Sequence, residues 1–189
     1  MIHQSWVFNK YLSSDAVDSI VTRCNKLDKQ VAQVGDTRGY REDKKSRIAD
    51  IAFLDRYIDQ DLYALIYNLG IDANNKAFGF SLNELETIQF TEYNGHKKAK
   101  YDWHTDLDWF DKGMSQRKLS VVVQLSDPKD YKGGEFEIAN AKNDKQMKSD
   151  MKQKGSVIVF PAFFEHRVKP VTEGKRLSLI GWVHGTKFR

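Results

Sequence analysis

The pattern of apolar and polar positions changes period once along the chain, near Leu82. Before that point the repeat is helical. Val17, Ile20, Val21, Cys24 and Leu27 recur at spacings of three and four, which puts them on one face of a helix starting near Asp15. Ser13 or Ser14 supplies the hydroxyl that caps its first free amides. A second helix is predicted over 58–69, with Ile58, Leu62, Leu65, Ile66 and Leu69 as its buried stripe and Gly70 as its stop. The charged stretch 35–45 between them predicts an exposed loop. After Leu82 the period falls toward two. Segments 85–93, 119–125, 135–138, 156–160 and 176–183 have strand character, and turn signals such as Asp127-Pro128 and Gly133-Gly134 separate them. Helices followed by many short strands predict an α+β, mainly β, fold in which helices brace a sandwich or barrel. One domain is expected over 1–189, with helical support over 1–81 and a strand core over about 82–185.

Composition narrows the function classes. The 189 residues suffice for one sizeable core. No apolar run of about 18 residues exists, so no membrane span is expected. The first residues lack the basic and apolar regions of a leader, and Cys24 is the only cysteine, so no disulfide forms within one chain. Together these give the expectation of a cytoplasmic protein. Thirty basic against 26 acidic residues leave a net charge of +4. The lysines gather at Lys97, Lys98 and Lys100, and again over 142–154. The second group is interrupted by Asp144 and Asp150 and reads as a solvated loop, so nucleic acid is disfavoured as a partner.

Chemistry enters with His104-Thr105-Asp106. On an extended strand the two outer residues share a face. His166, after the strand 157–160 and the turn at Pro161, is the candidate third ligand. Two imidazoles and one carboxylate on one face of an octahedron leave three positions open, the donor set of non-haem iron(II) oxygenases. A closed zinc site wants four ligands, usually with thiolates, and one cysteine does not supply them. His3, His96 and His184 lack suitably spaced partners and are read as non-ligands. Taken alone, His-X-Asp is a common accident. Ten residues beyond His166, however, Arg176 and Ser178 share a strand face. A guanidinium fork and a hydroxyl side by side clamp a carboxylate.

These pieces occur in a longer series. Gln89-Phe90-Thr91-Glu92-Tyr93 and Tyr101-Asp102-Trp103-His104-Thr105-Asp106 precede the strand 119–125. Gly133-Gly134-Glu135-Phe136, Gly155, Phe160-Pro161 and His166-Arg167-Val168 follow it. Gly174-Lys175-Arg176-Leu177-Ser178 and Trp182 close the series. In this order and spacing, over about half the chain, the sequence resembles the prolyl 4-hydroxylase-like branch of the 2-oxoglutarate oxygenases, including the PKHD-type hydroxylases. The resemblance implies a double-stranded β-helix, or jelly roll. It implies Fe(II) held by His104, Asp106 and His166, and 2-oxoglutarate held through its distal carboxylate by Arg176, with Tyr93 and Ser178 as hydrogen-bonding partners. Lys175 is the alternative anchor, but its side chain is expected on the other face.

The same resemblance implies O2 as co-reactant, succinate and CO2 as products, and L-ascorbate as reductant. The implied substrate is a prolyl residue of a peptide or protein. A free amino acid, a lysyl residue, another small molecule or a nucleic-acid base remains an alternative. Tyr101, Trp103, Trp109, Phe110, Phe163 and Phe164 are candidate pocket walls, although core packing is the simpler reading for Trp103 and for one of the two phenylalanines. The segment 107–117 is either a mobile substrate loop or a plain connector. The rival classes are a non-enzymatic jelly-roll binding module and a metal hydrolase.

Overall fold

The computed structural model describes residues 3–36, 39–107, 113–139 and 145–188. In chain order, β1 (Trp6–Phe8) leads into α1 (Ser14–Cys24). Four short strands follow: β2 (Gln30–Val31), β3 (Val34–Asp36), β4 (Gly39–Arg41) and β5 (Arg47–Ile48). Then come β6 (Asp50–Phe53), α2 (Gln60–Ala73) and the long β7 (Leu82–Asn94). The remainder is β8 (Lys100–His104), β9 (Ser115–Gln124), β10 (Tyr131–Gly133), β11 (Phe136–Ile138), α3 (Lys145–Lys152), β12 (Val157–Pro161), β13 (His166–Val168) and β14 (Val171–Thr186).

Two antiparallel sheets carry the molecule. The major sheet runs β1-β12-β9-β14-β7-β6-β2, with β10 added on β14, and the minor sheet runs β11-β13-β8-β5. Period-two alternation sorts the major strands into two faces. Leu119, Val121, Val123, Ile88, Phe90, Leu179 and Val183 pack outward against Val17 and Ile20 of α1 and Leu62, Ile66 and Leu69 of α2. Burying each of the α2 side chains is worth about 1.5–3 kcal/mol. The helices therefore brace the outside of a jelly roll, as the change of period predicted. The opposite face carries Gln89, Tyr93, Val122, Arg176, Ser178, Ile180 and Trp182 toward the minor sheet.

Several expectations are corrected. Residues 1–81 are not purely helical, because β1 and β6 pair with β12 and β7 of the major sheet. The stretch 35–45 holds a β3–β4 hairpin. Gly70 does not stop α2. It lies buried within the helix, where a Cβ would sit 2.9 Å from Val183 Cγ2, so its lack of a side chain lets helix and sheet approach. The helix runs to Ala73, continues as a π-turn over Asn74–Phe78 and ends at Gly79 with φ 73°. Within the lysine-rich stretch 142–154, residues 145–152 form α3 rather than loop, because Met151 is buried with Ile138, Ile158 and Phe160. The Gly133-Gly134 turn was anticipated, and both residues have positive φ, 75° and 63°. No helix among the described residues is long and apolar enough to cross a membrane.

Candidate active site

His104 ends β8 and His166 begins β13, and the two are direct partners across the minor sheet. Asp106 lies two residues past the end of β8, not on the strand as expected. Its amide and that of Leu107 both bond the Ala162 carbonyl, at 2.9 and 3.0 Å, which turns the chain back over the site. The three side chains converge: one ligand atom from each lies within 4.8 Å of the others. His104 Nε2 is 3.7 Å from Asp106 Oδ1, and His166 Nε2 is 3.5 Å from Asp106 Oδ2.

Each imidazole is oriented by its other nitrogen. His104 Nδ1 meets the Asp102 carbonyl at 2.8 Å and His166 Nδ1 meets the Phe164 carbonyl at 2.9 Å. A carbonyl only accepts, so each Nδ1 carries a proton and each Nε2 is turned toward the carboxylate. Tyr101 stacks on His104 with ring centres 3.4 Å apart, and Phe160 packs against His166 at 4.7 Å. Burial, reinforced by neighbouring His166, pushes the His104 imidazole down to about 3, so the ring is neutral at neutral pH. Burial works to raise Asp106. The two histidines, Arg117 and a hydrogen bond from Ser120 overcome it and hold the carboxyl at about 2. The neutral His104 imidazole and the ionised Asp106 carboxylate are in the protonation states a divalent ion requires of them.

The site opens into a cavity between the sheets, with an empty volume of about 420 Å³ including its open mouth. Arg176, Ser178 and Tyr93 all line it, and Arg176 and Tyr93 are direct cross-strand partners on β14 and β7. Arg176 is only 4% exposed, and among the described residues no carboxylate lies within 4 Å of its guanidinium. Lys175 points to the opposite face and pairs with Glu92 at 2.8 Å. A buried guanidinium without an anion costs several kcal/mol, so the cavity favours a carboxylate at that end. Four buried polar side-chain atoms lack a partner among the described residues: Arg47 Nε, Gln124 Oε1, Ser178 Oγ and Trp182 Nε1. Three belong to residues of this cavity and the fourth, Gln124, pairs with Ser178 in the sheet. Such a concentration of uncommitted donors and acceptors marks a polar ligand site. The donor set N,N,O fits Fe(II), and the arginine end fits the far carboxylate of a dicarboxylate.

Some expected residues lie elsewhere. Trp103 is neither core nor cavity wall: it is 41% exposed, under the Arg167 guanidinium at 4.5 Å. Phe163 packs against Phe80 and Phe188, away from the ligands, and Phe164 packs beside the cluster around Phe160. Trp109 and Phe110, with the rest of residues 108–112 of the segment 107–117, lie outside the described residues. Other groups were not foreseen. Ser120 donates to Asp106 Oδ2 at 2.5 Å. Arg47 lies over Tyr101 at 4.4 Å. Arg117 is held bidentate by Glu86 (2.6 and 2.8 Å), lies 4.1 Å over Trp182 and reaches the Asp106 carbonyl at 3.4 Å, while Glu86 also takes His184 at 2.8 Å. Ser120 and Gln124 were the one legible hint, as polar residues of equal parity inside an apolar strand. Arg47 and the Glu86 cluster are assembled from remote segments and leave no local pattern.

Comparison with known proteins agrees with this geometry. A PKHD-type hydroxylase of Gloeothece citriformis is 40% identical over 100 residues, which are 53% of this chain and 43% of that protein. One from Prochlorococcus marinus is 35% identical over 96 residues, 51% and 40% respectively. The chain thus spans about two-fifths of the length of these relatives. Among solved structures, the viral collagen prolyl hydroxylase of Paramecium Bursaria Chlorella virus-1 superposes with a TM-score of 0.70 at 18% identity, covering 97% of each chain. The Trichoplax adhaerens prolyl hydroxylase in complex with a hypoxia inducible factor peptide fragment gives 0.72 at 17%, covering 95% of this chain and 83% of that one. At such identities these likenesses establish the jelly-roll fold alone. The family model described as the 2OG-Fe(II) oxygenase superfamily matches residues 88–184, a span that contains every ligand candidate and the arginine clamp, and the chain belongs to that superfamily.

Proposed function

We propose that the chain is a 2-oxoglutarate-dependent hydroxylase acting on a C–H bond of a prolyl residue in a peptide or protein. One observation carries the reading. A His, His, Asp set and a buried arginine with no carboxylate on it among the described residues occupy the same cavity. His104, Asp106 and His166 would hold Fe(II), which supplies O2 activation coupled to oxidative decarboxylation of 2-oxoglutarate to succinate and CO2. Arg176 anchors the far carboxylate of the cosubstrate, with Ser178 Oγ and Tyr93 beside it. Burial raises the Tyr93 hydroxyl above its ordinary range, so it stays a hydrogen-bond donor. Ser120 fixes Asp106, and the backbone carbonyls of Asp102 and Phe164 fix the imidazoles. Tyr101, Phe136 and Trp182 exclude water from the rest of the cavity.

The peptide substrate is supported by the fold-level neighbours, one of which carries a peptide fragment, and by relatives described as hydroxylases. Ascorbate is proposed as the reductant that sustains turnover, and residues 1–189 as one catalytic unit. The test is incubation with Fe(II), 2-oxoglutarate, ascorbate and a peptide library containing prolyl and lysyl members. Mass spectrometry should find a gain of one oxygen on prolyl peptides, matched by succinate. Succinate formation with oxygen added only to lysyl peptides or to free amino acids refutes the prolyl assignment, and no succinate with any substrate refutes the enzyme class.

A further inference from the structure

Arg47 lines the active-site cavity along with Arg176, and the proposed reaction gives it no partner. It enters from β5, the edge strand of the minor sheet. Its guanidinium lies over the Tyr101 ring at 4.4 Å, and Tyr101 stacks on His104 at 3.4 Å. The acceptors it meets are neutral: the Gln33 carbonyl at 3.0 Å and Gln89 Oε1 at 3.4 Å. The Gln89 amide nitrogen is itself committed to Thr91 Oγ1 at 2.7 Å. Arg47 Nε is buried with no partner among the described residues. No carboxylate of the described residues lies within 4 Å of this guanidinium, whereas Arg23, Arg117 and Arg167 each hold one.

We propose that Arg47 receives a carboxylate of the substrate, so that the preferred substrate is a prolyl peptide with an anionic group next to the target residue. The inference rests on the proposed function, which assigns Fe(II) to His104, Asp106 and His166 and the cosubstrate to Arg176. Charge then decides what remains. The positive charges of Fe(II) and Arg176 are balanced by Asp106 and the two carboxylates of 2-oxoglutarate, and Arg117 is balanced by Glu86. The charge of Arg47 is left over, in a cavity that a bound peptide closes to water. An unpaired cation there is costly, and the planar guanidinium fork matches a carboxylate better than it matches a neutral group. Distance permits the pairing. The guanidinium is no farther from the His104 ring than the two stacking spacings combined. About two residues of extended chain, at ~3.3–3.6 Å each, cover that reach. The group is therefore the α-carboxylate of a C-terminal prolyl residue or the side chain of an adjacent acidic residue.

The test uses two pairs of short peptides, each with a single prolyl residue. In the first pair that residue is C-terminal, as the free acid or as the amide. In the second it is internal, the C-terminus is amidated, and glutamate or glutamine follows it. Each peptide is titrated calorimetrically into the chain loaded with Mn(II) and 2-oxoglutarate, without O2 and at low salt. In at least one pair the acid member should bind the parent about tenfold or more tightly than its neutral partner, as a charge-assisted hydrogen bond requires. The pair that shows the difference identifies the source of the carboxylate. In Arg47→Gln that difference should shrink to about twofold or less, as coupling between the two groups demands, while 2-oxoglutarate affinity stays within about twofold of the parent. Equal binding within both pairs by the parent overturns the proposal, and so does an undiminished difference in Arg47→Gln. Loss of 2-oxoglutarate affinity in Arg47→Gln by about tenfold or more overturns it as well, by making Arg47 a cosubstrate anchor. Should Arg47→Gln fail to fold, Arg47→Met is read by the same criteria. Failure of all four peptides to bind a parent that does bind 2-oxoglutarate refutes the anionic prolyl peptide. Absence of 2-oxoglutarate binding to the manganese-loaded parent would instead sink the proposed function.

Discussion

Replacing Ser120 with alanine isolates the contribution of a single oxygen to the proposed metal site. Ser120 is fully buried, and its hydroxyl donates to Asp106 Oδ2 at 2.5 Å, next to a side chain only 10% exposed. Hydrogen bonds to charged groups contribute about 1.5–3 kcal/mol. Loss of a group that orients a metal ligand lowers metal affinity by about 10–100-fold, which corresponds to about 1.4–2.8 kcal/mol. The two ranges agree, and both lie well below what deletion of a ligand itself removes. Ser120→Ala should therefore bind Fe(II) or Mn(II) about 10–100-fold more weakly, while Asp106→Ala binds neither measurably. Anaerobic titration against a competing chelator at neutral pH measures this, and a denaturant curve of the metal-free protein confirms the fold. Parent-like affinity in Ser120→Ala would show that Asp106 is positioned by its backbone bonds to Ala162 alone.

Arg176→Ala should weaken 2-oxoglutarate binding by about 3–5 kcal/mol, the cost of leaving a buried charge unpaired, and Arg176→Lys should recover only part. Titration into the manganese-loaded variants measures it, and parent-like binding by Arg176→Ala places the anchor elsewhere. Gly70→Ala gains about 1 kcal/mol of helix propensity, but its Cβ falls 2.9 Å from buried Val183 Cγ2. Overpacking of this kind costs about 1–3 kcal/mol, so the denaturation midpoint should drop or hold, and a clear rise refutes the packing argument. Burial opposes ionisation of Glu86, yet bonds from Arg117 and His184 hold its carboxyl at about 2. Its depressed value means the stabilisation is present above the ordinary glutamate range near 4.5 and is lost as pH falls toward 2. Glu86→Gln should therefore be less stable than the parent at neutral pH, with the gap closing in acid. A gap that does not change with pH assigns the loss to packing.

Legibility in the sequence followed the range over which each feature is encoded. The α1 face and the alternation of β9 and β14 are local periodicities, and they appear where the pattern placed them. The pairing of Arg176 with Ser178 on one face rests on parity within one strand and is likewise seen. Asp106 converges with His104 and His166, but by a local geometry other than the expected strand. The chain leaves the strand after His104 because Ala162, 56 positions away, accepts two of its amides, and no local pattern carries that. Gly70 was misread for a related reason. Glycine after an apolar stripe signals a helix end, but here it marks a close approach of β14 that only tertiary structure reveals. The hairpin at 34–41 and the placement of Arg47 were hidden beneath a polar composition that reads as solvent-exposed.

The two histidine anchors carry a consequence for how such a site can vary. Each imidazole proton is received by the peptide oxygen two positions upstream, at Asp102 and Phe164. Every amino acid brings that oxygen, so no substitution at either position can delete it. The orientation of both rings is thereby uncoupled from the identity of nearby side chains. The side chains at Asp102 and Phe164 are free to diverge so long as the backbone path holds. Among homologous chains, drift should be tolerated in the side chains at positions 102 and 164. Insertions or deletions within 102–104 or 164–166 should not be, because they shift the oxygen itself.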